Sequence, residues 1–371
     1  MIAGLCLSDP HPDRVSDGSS TRTLSAARFA GRYRLVDFML PNMVNSGITT
    51  IGMILNSHYQ SLIAHIGTGK EWDLARKTGG VTYFPPYLTD ERQNVNSELD
   101  GPLMRAAEHI TGSKTDTIVL ADSSVVYNMD YRNALEEHVK TGADITAIYT
   151  KKKITIGERE NTVVFHLNSD GQVRAINAAT PSSDSMNVSL GAYIMKKSFF
   201  TQLTTGEKNC GMLRFSRILL AEALKWLYVV AYEYKGYSAQ ICSVETFFHY
   251  NMEMLDISKR NALFNHGEGR IYTSRRDSLP TKYGKRAEVS NSIIAEGCQI
   301  DGAVSNCVIC RGVRVREGAI VKNCILQEGT EVDRDANLDY IITDREVKIS
   351  ENRKMTGYST YPVYIENSRV V

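Results

Sequence analysis

Four arginines, Arg22, Arg28, Arg32 and Arg34, fall within thirteen residues near the start of this 371-residue chain. Guanidinium groups suit phosphate and carboxylate because they donate paired hydrogen bonds. Crowded together they repel one another. A phosphate, a sulfate or a facing carboxylate would offset that repulsion, and a solvated basic edge is the plainer alternative. Asp122 and Asp130 are the carboxylates that could hold a metal. Asp130, however, stands just before Tyr131, where a helical pattern begins, and an aspartate there is expected to cap the helix. His58 and His65 are seven apart in a helix-like segment and would share a face. Two imidazoles are too few for a metal site, so packing is their expected role. Cys307 and Cys310 form a CxxC without a matching second pair. Small thiols filling strand turns explain them better than zinc does.

The whole chain offers no electrostatic bias. Its formal net charge is +1, which argues against nucleic acid or acidic membrane as a partner, so any anion site must be a local cluster. No apolar run approaches the ~18 residues of a spanning helix. The run Ile2 to Leu7 lacks a basic flank and soon meets Ser8-Asp9-Pro10, unlike a signal peptide. Seven cysteines, an odd and uneven set, read as a reduced cytoplasmic protein rather than a disulfide framework.

Two kinds of element would have to position these groups. Up to about residue 255, strand-like runs alternate with helix-like ones. Thr49 to Leu55, Thr117 to Ala121 and Asp144 to Tyr149 read as strands, and Tyr131 to Lys140 as a helix. Ser243 to Lys259 reads as one helix with Ser243 as its cap, and the aromatic run Trp226 to Tyr234 as a buried strand region. Asn168-Ser-Asp-Gly171 signals a hairpin. The alternation predicts an α/β fold with a mostly parallel sheet.

The C-terminal part repeats instead. Asn291 to Ile300, Asn306 to Val315 and Asn323 to Val332 share one template: Asn, a small residue, two aliphatics, two variable residues, Gly, two variable residues, aliphatic. Each such coil hides its aliphatics only by stacking on the next, and glycine tolerates the positive φ of tight corners. A left-handed parallel β-helix of hexapeptide type follows, with an open end that favours oligomers. The stretch 266–284 reads as the connection, which divides the chain into 1–265, 266–284 and 285–371.

Local motifs sharpen this. Phe29-Ala-Gly-Arg-Tyr-Arg-Leu-Val-Asp-Phe38, Asn42 to Ile48, His65-Ile-Gly-Thr-Gly-Lys-Glu-Trp-Asp-Leu74, Tyr127-Asn-Met-Asp-Tyr131 and Ser189-Leu-Gly-Ala-Tyr193 come in order. They resemble PFGGKYRIIDF, SNCANSGI, HIGxGxxWDL, YKMDY and SMGIY of the bacterial ADP-glucose pyrophosphorylase (glucose-1-phosphate adenylyltransferase) family. The segment Gly236 to Thr246 follows the frame of its GYWxDVGTIES. The resemblance spans almost the whole chain and implies a Rossmann-like nucleotidyltransferase domain of glycosyltransferase-A type followed by the β-helix.

The family's chemistry joins ATP and glucose 1-phosphate with release of pyrophosphate. Such chemistry rests on positioning and on neutralising negative charge. The resemblance implies a glycine-rich phosphate loop, Mg²⁺ held by aspartates, and two lysines on phosphates. Here the loop region reads Leu7 to Val15 without glycine. The metal aspartates align with Ser124 and Gln240, and the lysines with Leu24 and Thr180. The family's GTADA segment is altered around Gly101, and Asp122 lies two residues before Ser124. The resemblance is therefore to the GlgD-type regulatory subunits, with a vestigial pocket at Asp122, Ser124, Gly101, Thr180 and Gln240. It implies a catalytic partner subunit in a hetero-tetramer for glycogen synthesis, and no cofactor, Mg²⁺ entering only if the chain is itself an active enzyme. Arg22, Arg28 and Arg34 match the stretch where related enzymes meet a sugar-bisphosphate activator, although the lysine expected before Arg22 is Thr21. A hexapeptide acyltransferase is the remaining alternative; it would want a histidine base on the β-helix, and none follows His266.

Overall fold

The computed structural model describes residues 1–8, 22–56, 58–86, 100–154, 162–179, 184–205, 224–265, 269–275 and 277–371. The chain opens with β1 (Ile2–Leu7), then the short pair β2 (Arg28–Phe29) and β3 (Tyr33–Arg34), and α1 (Val36–Asn45). β4 (Thr50–Ile54), α2 (Gln60–Ile66), β5 (Gly80–Phe84) and α3 (Asp100–Thr111) follow. Next come β6 (Thr117–Asp122), β7 (Val125–Tyr127), α4 (Arg132–Thr141) and β8 (Ile145–Lys152). β9 (Val163–Leu167), β10 (Val173–Ala178), β11 (Met186–Lys196) and α5 (Lys197–Thr205) complete the middle. β12 (Val229–Glu233), β13 (Ser238–Gln240), α6 (Val244–Glu253) and α7 (Ile257–Phe264) end the first half.

Nine of these strands form one sheet. Its parallel run is β5-β4-β1-β6, and β12 joins β8 in parallel. β11 lies antiparallel between β6 and β8, and the β9–β10 hairpin closes on the Asn168 turn. Strand side chains alternate between two buried layers. Cys6, Val119 and Ala121 face α1, α2 and α4, whereas Leu5, Leu7, Ile118 and Leu120 face α3 and α5. A sheet covered on both faces needs such continuous apolar strands, which is why they read as short aliphatic runs. Among the described residues no helix is long and apolar enough to cross a membrane.

The helix expected over Ser243 to Lys259 is two helices. Ser243 caps the first with a reciprocal bond to Thr246, and Asp256 caps the second by accepting from Ser258 N–H at 2.8 Å. A second cap residue inside the run ends one helix and starts the next. Of the aromatic run only Val229–Glu233 is strand; Trp226 and Tyr228 are exposed.

From Lys282–Tyr283 onward the chain winds into three parallel ladders of five strands each, the expected left-handed β-helix. Ile300, Val315, Val332 and Ile349 stack inside it. Cys307, Cys310 and Cys324 fill the same interior or its wall, fully buried and unpaired, and burial pushes the Cys310 thiol up to about 12. Both template residues, not glycine alone, turn the corners: Asn291, Asn306 and Asn323 have φ of 38°, 54° and 49°, and Gly297, Gly312 and Gly329 have 77°, 68° and 74°. Asparagine enters the left-handed region more readily than most residues. Its amide then ladders, Asn291 to Asn306, Asn306 to Asn323 and Asn323 to Asp339, at 2.9, 2.6 and 2.8 Å. A fourth coil places Tyr340 and Glu346 at these two corners, both with positive φ.

One ladder turns an apolar row outward. Val308, Ile325 and Ile342 are fully buried against Phe29, Leu35, Phe38, Phe247, Phe248 and Leu263 of the first half. Each such side chain contributes about 1.5–3 kcal/mol of burial. The two halves therefore share a core and are not joined by their connecting segment alone.

Candidate functional site

Ser124 and Gln240, far apart in sequence, meet through a two-stranded ribbon. β13 pairs antiparallel with β7, Gln240 opposite Val125, and Ile241 N–H donates to the Ser124 carbonyl at 3.0 Å. Both side chains are buried, and the Thr162 hydroxyl donates to Gln240 Oε1 at 3.2 Å. Asp122 ends β6 beside Leu7, at the carboxyl edge of the parallel strands, where open α/β sheets place their ligands. Its Oδ1 accepts the Ser124 N–H at 2.7 Å. Gly191 lies against it: a Cβ there would sit 2.8 Å from that of Asp122, and its φ of +64° suits glycine.

These donors fit Mg²⁺ poorly. A hard dication wants several anionic oxygens. The ribbon supplies a hydroxyl and an amide, and among the described residues the carboxylate beside them, Asp122, already closes a local turn. Among the described residues no group of three metal-capable side chains gathers anywhere. Leu24 lies in a short 3-10 turn and is buried in the apolar cluster with Phe29 and Leu35, where no phosphate reaches. The adjacent Ser25 hydroxyl meets that of Ser123 at 2.5 Å, and Ser123 donates to the Leu7 carbonyl. Gly101 is in the first turn of α3. Thr180 and residues 9–15 of the loop region lie outside the described residues.

Three of the arginines converge elsewhere, on the seam between the two halves. In the β2–β3 pair Arg28 lies directly opposite Arg34, and the tip residue Gly31 approaches Ile293 and the Ile309 carbonyl of the β-helix. Like charges directly opposite are unfavourable. Arg28 forms an ion pair with Glu328, which also lies 3.9 Å from Arg345. Arg22 reaches Asp344 at 3.4 Å. Arg34 has no carboxylate within 4 Å of its guanidinium among the described residues; it donates instead to the Ser61 carbonyl and hydroxyl at 2.8 and 3.1 Å. Burial first, and the Arg28 charge second, pull its pKa down to about 9. The Nε–H groups of Arg28, Arg34 and Arg345 are buried with no hydrogen-bond partner among the described residues. Arg32 stays apart, exposed, its guanidinium over the Tyr33 ring.

The β-helix side of this seam was not anticipated, yet its signal was present. One template position, just before the turn residue, carries Glu296, Arg311, Glu328 and Arg345 in successive coils. Glu296 pairs with Arg311 at 2.5 Å, so the corner is a column of alternating charge. His58 and His65 do not share a helix face. His58 has a φ of 58° and precedes α2, whereas His65 is buried on α2 with Nε2 2.6 Å from Asp37 Oδ1. Asp130 caps α4 from just outside it, accepting the Arg132 N–H at 2.9 Å.

Comparison with known proteins agrees with this architecture. The profile described as Nucleotidyl transferase matches residues 14–221, and that described as GlmU-like, C-terminal hexapeptide matches 278–359. The glycogen biosynthesis protein GlgD of Bacillus subtilis is 32% identical over 96% of this chain and 93% of its own length. Glucose-1-phosphate adenylyltransferases of Thermosipho africanus and Clostridium perfringens are 31% and 27% identical, over 80% and 95% of this chain and 72% and 92% of theirs. The chain belongs to the nucleotidyltransferase family, in the group formed by glucose-1-phosphate adenylyltransferases and GlgD.

Proposed function

We propose that this chain is a regulatory, catalytically deficient subunit of a cytoplasmic glucose-1-phosphate adenylyltransferase in glycogen biosynthesis, working in a hetero-tetramer with a catalytic subunit of the same family. One observation carries the reading: Ser124 and Gln240, which the resemblance aligns with metal-holding aspartates, are neutral, buried and adjacent at the β7–β13 ribbon. Nucleotidyl transfer without a charge-neutralising dication loses its main source of transition-state stabilisation. The fold that docks substrates and subunits is retained. The arginine seam is where a phosphorylated or otherwise anionic effector would act, because its buried N–H groups and the carboxylate-free Arg34 are costly without one.

The test is ADP-glucose formation by this chain alone, by its catalytic partner alone, and by the mixture. This chain alone is expected to be silent with ATP, glucose 1-phosphate and Mg²⁺. The mixture is expected to differ from the partner in substrate affinity or effector response. Turnover by the chain alone at ordinary enzymatic rates, on the order of 1–10³ per second, would establish the active alternative built on Asp122. Identical kinetics with and without this chain, once co-purification is shown, would remove the regulatory role.

A further inference from the structure

Arg34 is held in place through its backbone. Its N–H donates to Asp37 Oδ2 at 2.8 Å. Asp37 is fully buried, and two more groups converge on its carboxylate. The Thr273 hydroxyl donates to the same Oδ2 at 2.6 Å, and His65 Nε2 lies 2.6 Å from Oδ1. His65 is itself wedged edge-on against the buried Trp72, 5.6 Å between ring centres. With these three partners the carboxylate anchors the Arg34 backbone and leaves its guanidinium to Ser61. A buried carboxylate is stable only when its lone pairs are satisfied, so the three partners are bound to one another's positions through it.

Thr273 belongs to the segment that joins the halves. That segment is pinned along α1 and its neighbour: Asn128 Nδ2 donates to the Gly269 carbonyl and Asn45 Nδ2 to the Arg270 carbonyl, each at 3.1 Å. Thr273 is the point at which the strap meets the arginine seam. A displacement of the strap would remove one donor from Asp37 and loosen the turn that carries Arg34.

We infer that Thr273 and His65 are positioning residues of the arginine seam: through Asp37 they set the backbone of Arg34, and so couple anion binding to the docking of the joining segment. This rests on the seam reading given above. Coupling is reciprocal, so an anion bound at the seam also tightens the strap.

The experiment uses the full-length chain and inorganic phosphate, titrated calorimetrically, with melting temperatures recorded without phosphate. Wild type is expected to bind saturably and Arg34→Ala to bind about tenfold or more weakly, as loss of a charge-assisted contact implies. Thr273→Val is expected to bind about fivefold more weakly, the size of one ordinary hydrogen bond, and Thr273→Ser to recover wild-type affinity. Hydrogen exchange across residues 269–275 should slow when phosphate is added to wild type and not to Arg34→Ala. If Thr273→Val does not fold, Thr273→Ala serves in its place, and the exchange measurement needs no strap variant. A Thr273→Val chain that melts lower but binds phosphate as wild type does would reduce Thr273 to a structural contact and overturn the inference while the seam reading stands. Absence of saturable phosphate binding in wild type, or full affinity in Arg34→Ala, would overturn both.

Discussion

The pocket ribbon and the interdomain seam handle buried polarity in opposite ways. At the ribbon the two facing side chains are neutral: the Ser124 N–H donates to the Asp122 carboxylate, and Gln240 accepts from Thr162. At the seam, Arg28 and Arg34 are nearly as buried and remain cationic residues, with Nε–H groups that find no partner among the described residues and one carboxylate, Glu328, which Arg28 shares with Arg345. A buried hydroxyl or amide needs only a local hydrogen bond. A buried guanidinium needs a counter-charge as well, and leaving it short costs stability. Charge has thus been withdrawn from one site and concentrated in the other. That contrast is what the proposed regulatory role requires: an anion site at the seam and none equipped for turnover at the ribbon.

The harshest way to break the contrast is to recharge the ribbon. The double substitution Ser124→Asp with Gln240→Asp would bury two carboxylates beside Asp122. Like charges in a buried site resist ionisation, and uncompensated ones cost about 3–5 kcal/mol. Denaturant unfolding should show a loss of that order at neutral pH, partly restored by millimolar Mg²⁺. ADP-glucose formation should still fail, because Leu24 remains sealed in the apolar cluster where the resemblance expects a lysine. Turnover approaching that of the catalytic subunit would mean that the two carboxylates were all the site lacked.

The seam can be sharpened from its other side. Glu328→Gln would leave Arg28 and Arg345 without their shared carboxylate. Removing one partner of a buried pair costs about 3–5 kcal/mol; Glu328 is 21% exposed, so about 2–3 kcal/mol is expected in denaturant unfolding. The same change makes the seam more positive and should tighten phosphate. Weaker phosphate binding in Glu328→Gln would show that the seam is a closed ion-pair network with no room for an anion.

Legibility in the sequence followed from how local each signal is. The parallel strands and the β-helix were readable because burial writes itself as runs such as Ile118 to Ala121 and as the Asn–aliphatic–Gly template. The fourth coil was missed because Tyr340 and Glu346 replace Asn and Gly at its corners, although the backbone there still turns left-handed. The expected pocket positions Ser124 and Gln240 came together because ribbon pairing preserves register. The partners of the arginines were not readable: Glu328 and Asp344 lie some three hundred residues away, and only the docking of an apolar ladder on Phe29 and Phe248 brings them near. The alternating Glu296, Arg311, Glu328 and Arg345 were visible as a column, but a charged corner of a β-helix ordinarily faces water.

The smallest expected effect separates the seam from the rest of the fold by pH. His65 and His138 are both buried, and burial lowers the pKa of each below the ordinary imidazole value of about 6.5. At His65 the hydrogen bond and charge of Asp37 work against burial, while Arg34 and Arg28 add to it. At His138 Lys196 adds to burial and Asp144 opposes it, and the ring bonds Thr146 Oγ1 at 2.8 Å. A base whose folded pKa is depressed binds its proton more readily when unfolded. The stability it supports is therefore complete above about pH 6.5 and falls as pH drops below that value. Each such histidine contributes a slope of at most about 1.4 kcal/mol per pH unit, levelling off once the folded form also takes up its proton. Wild type should lose stability from pH 6.5 toward 5.5, and His65→Gln and His138→Gln should each remove part of that loss. Only His65 touches Asp37, so only its protonation should disturb the anchor of Arg34 and with it phosphate binding. His138→Gln should leave the pH dependence of phosphate affinity unchanged, while His65→Gln, which can still offer an N–H to Asp37, should flatten it. Equal effects of the two variants on phosphate binding would mean that pH acts on the fold as a whole and that the seam has no private connection to Asp37.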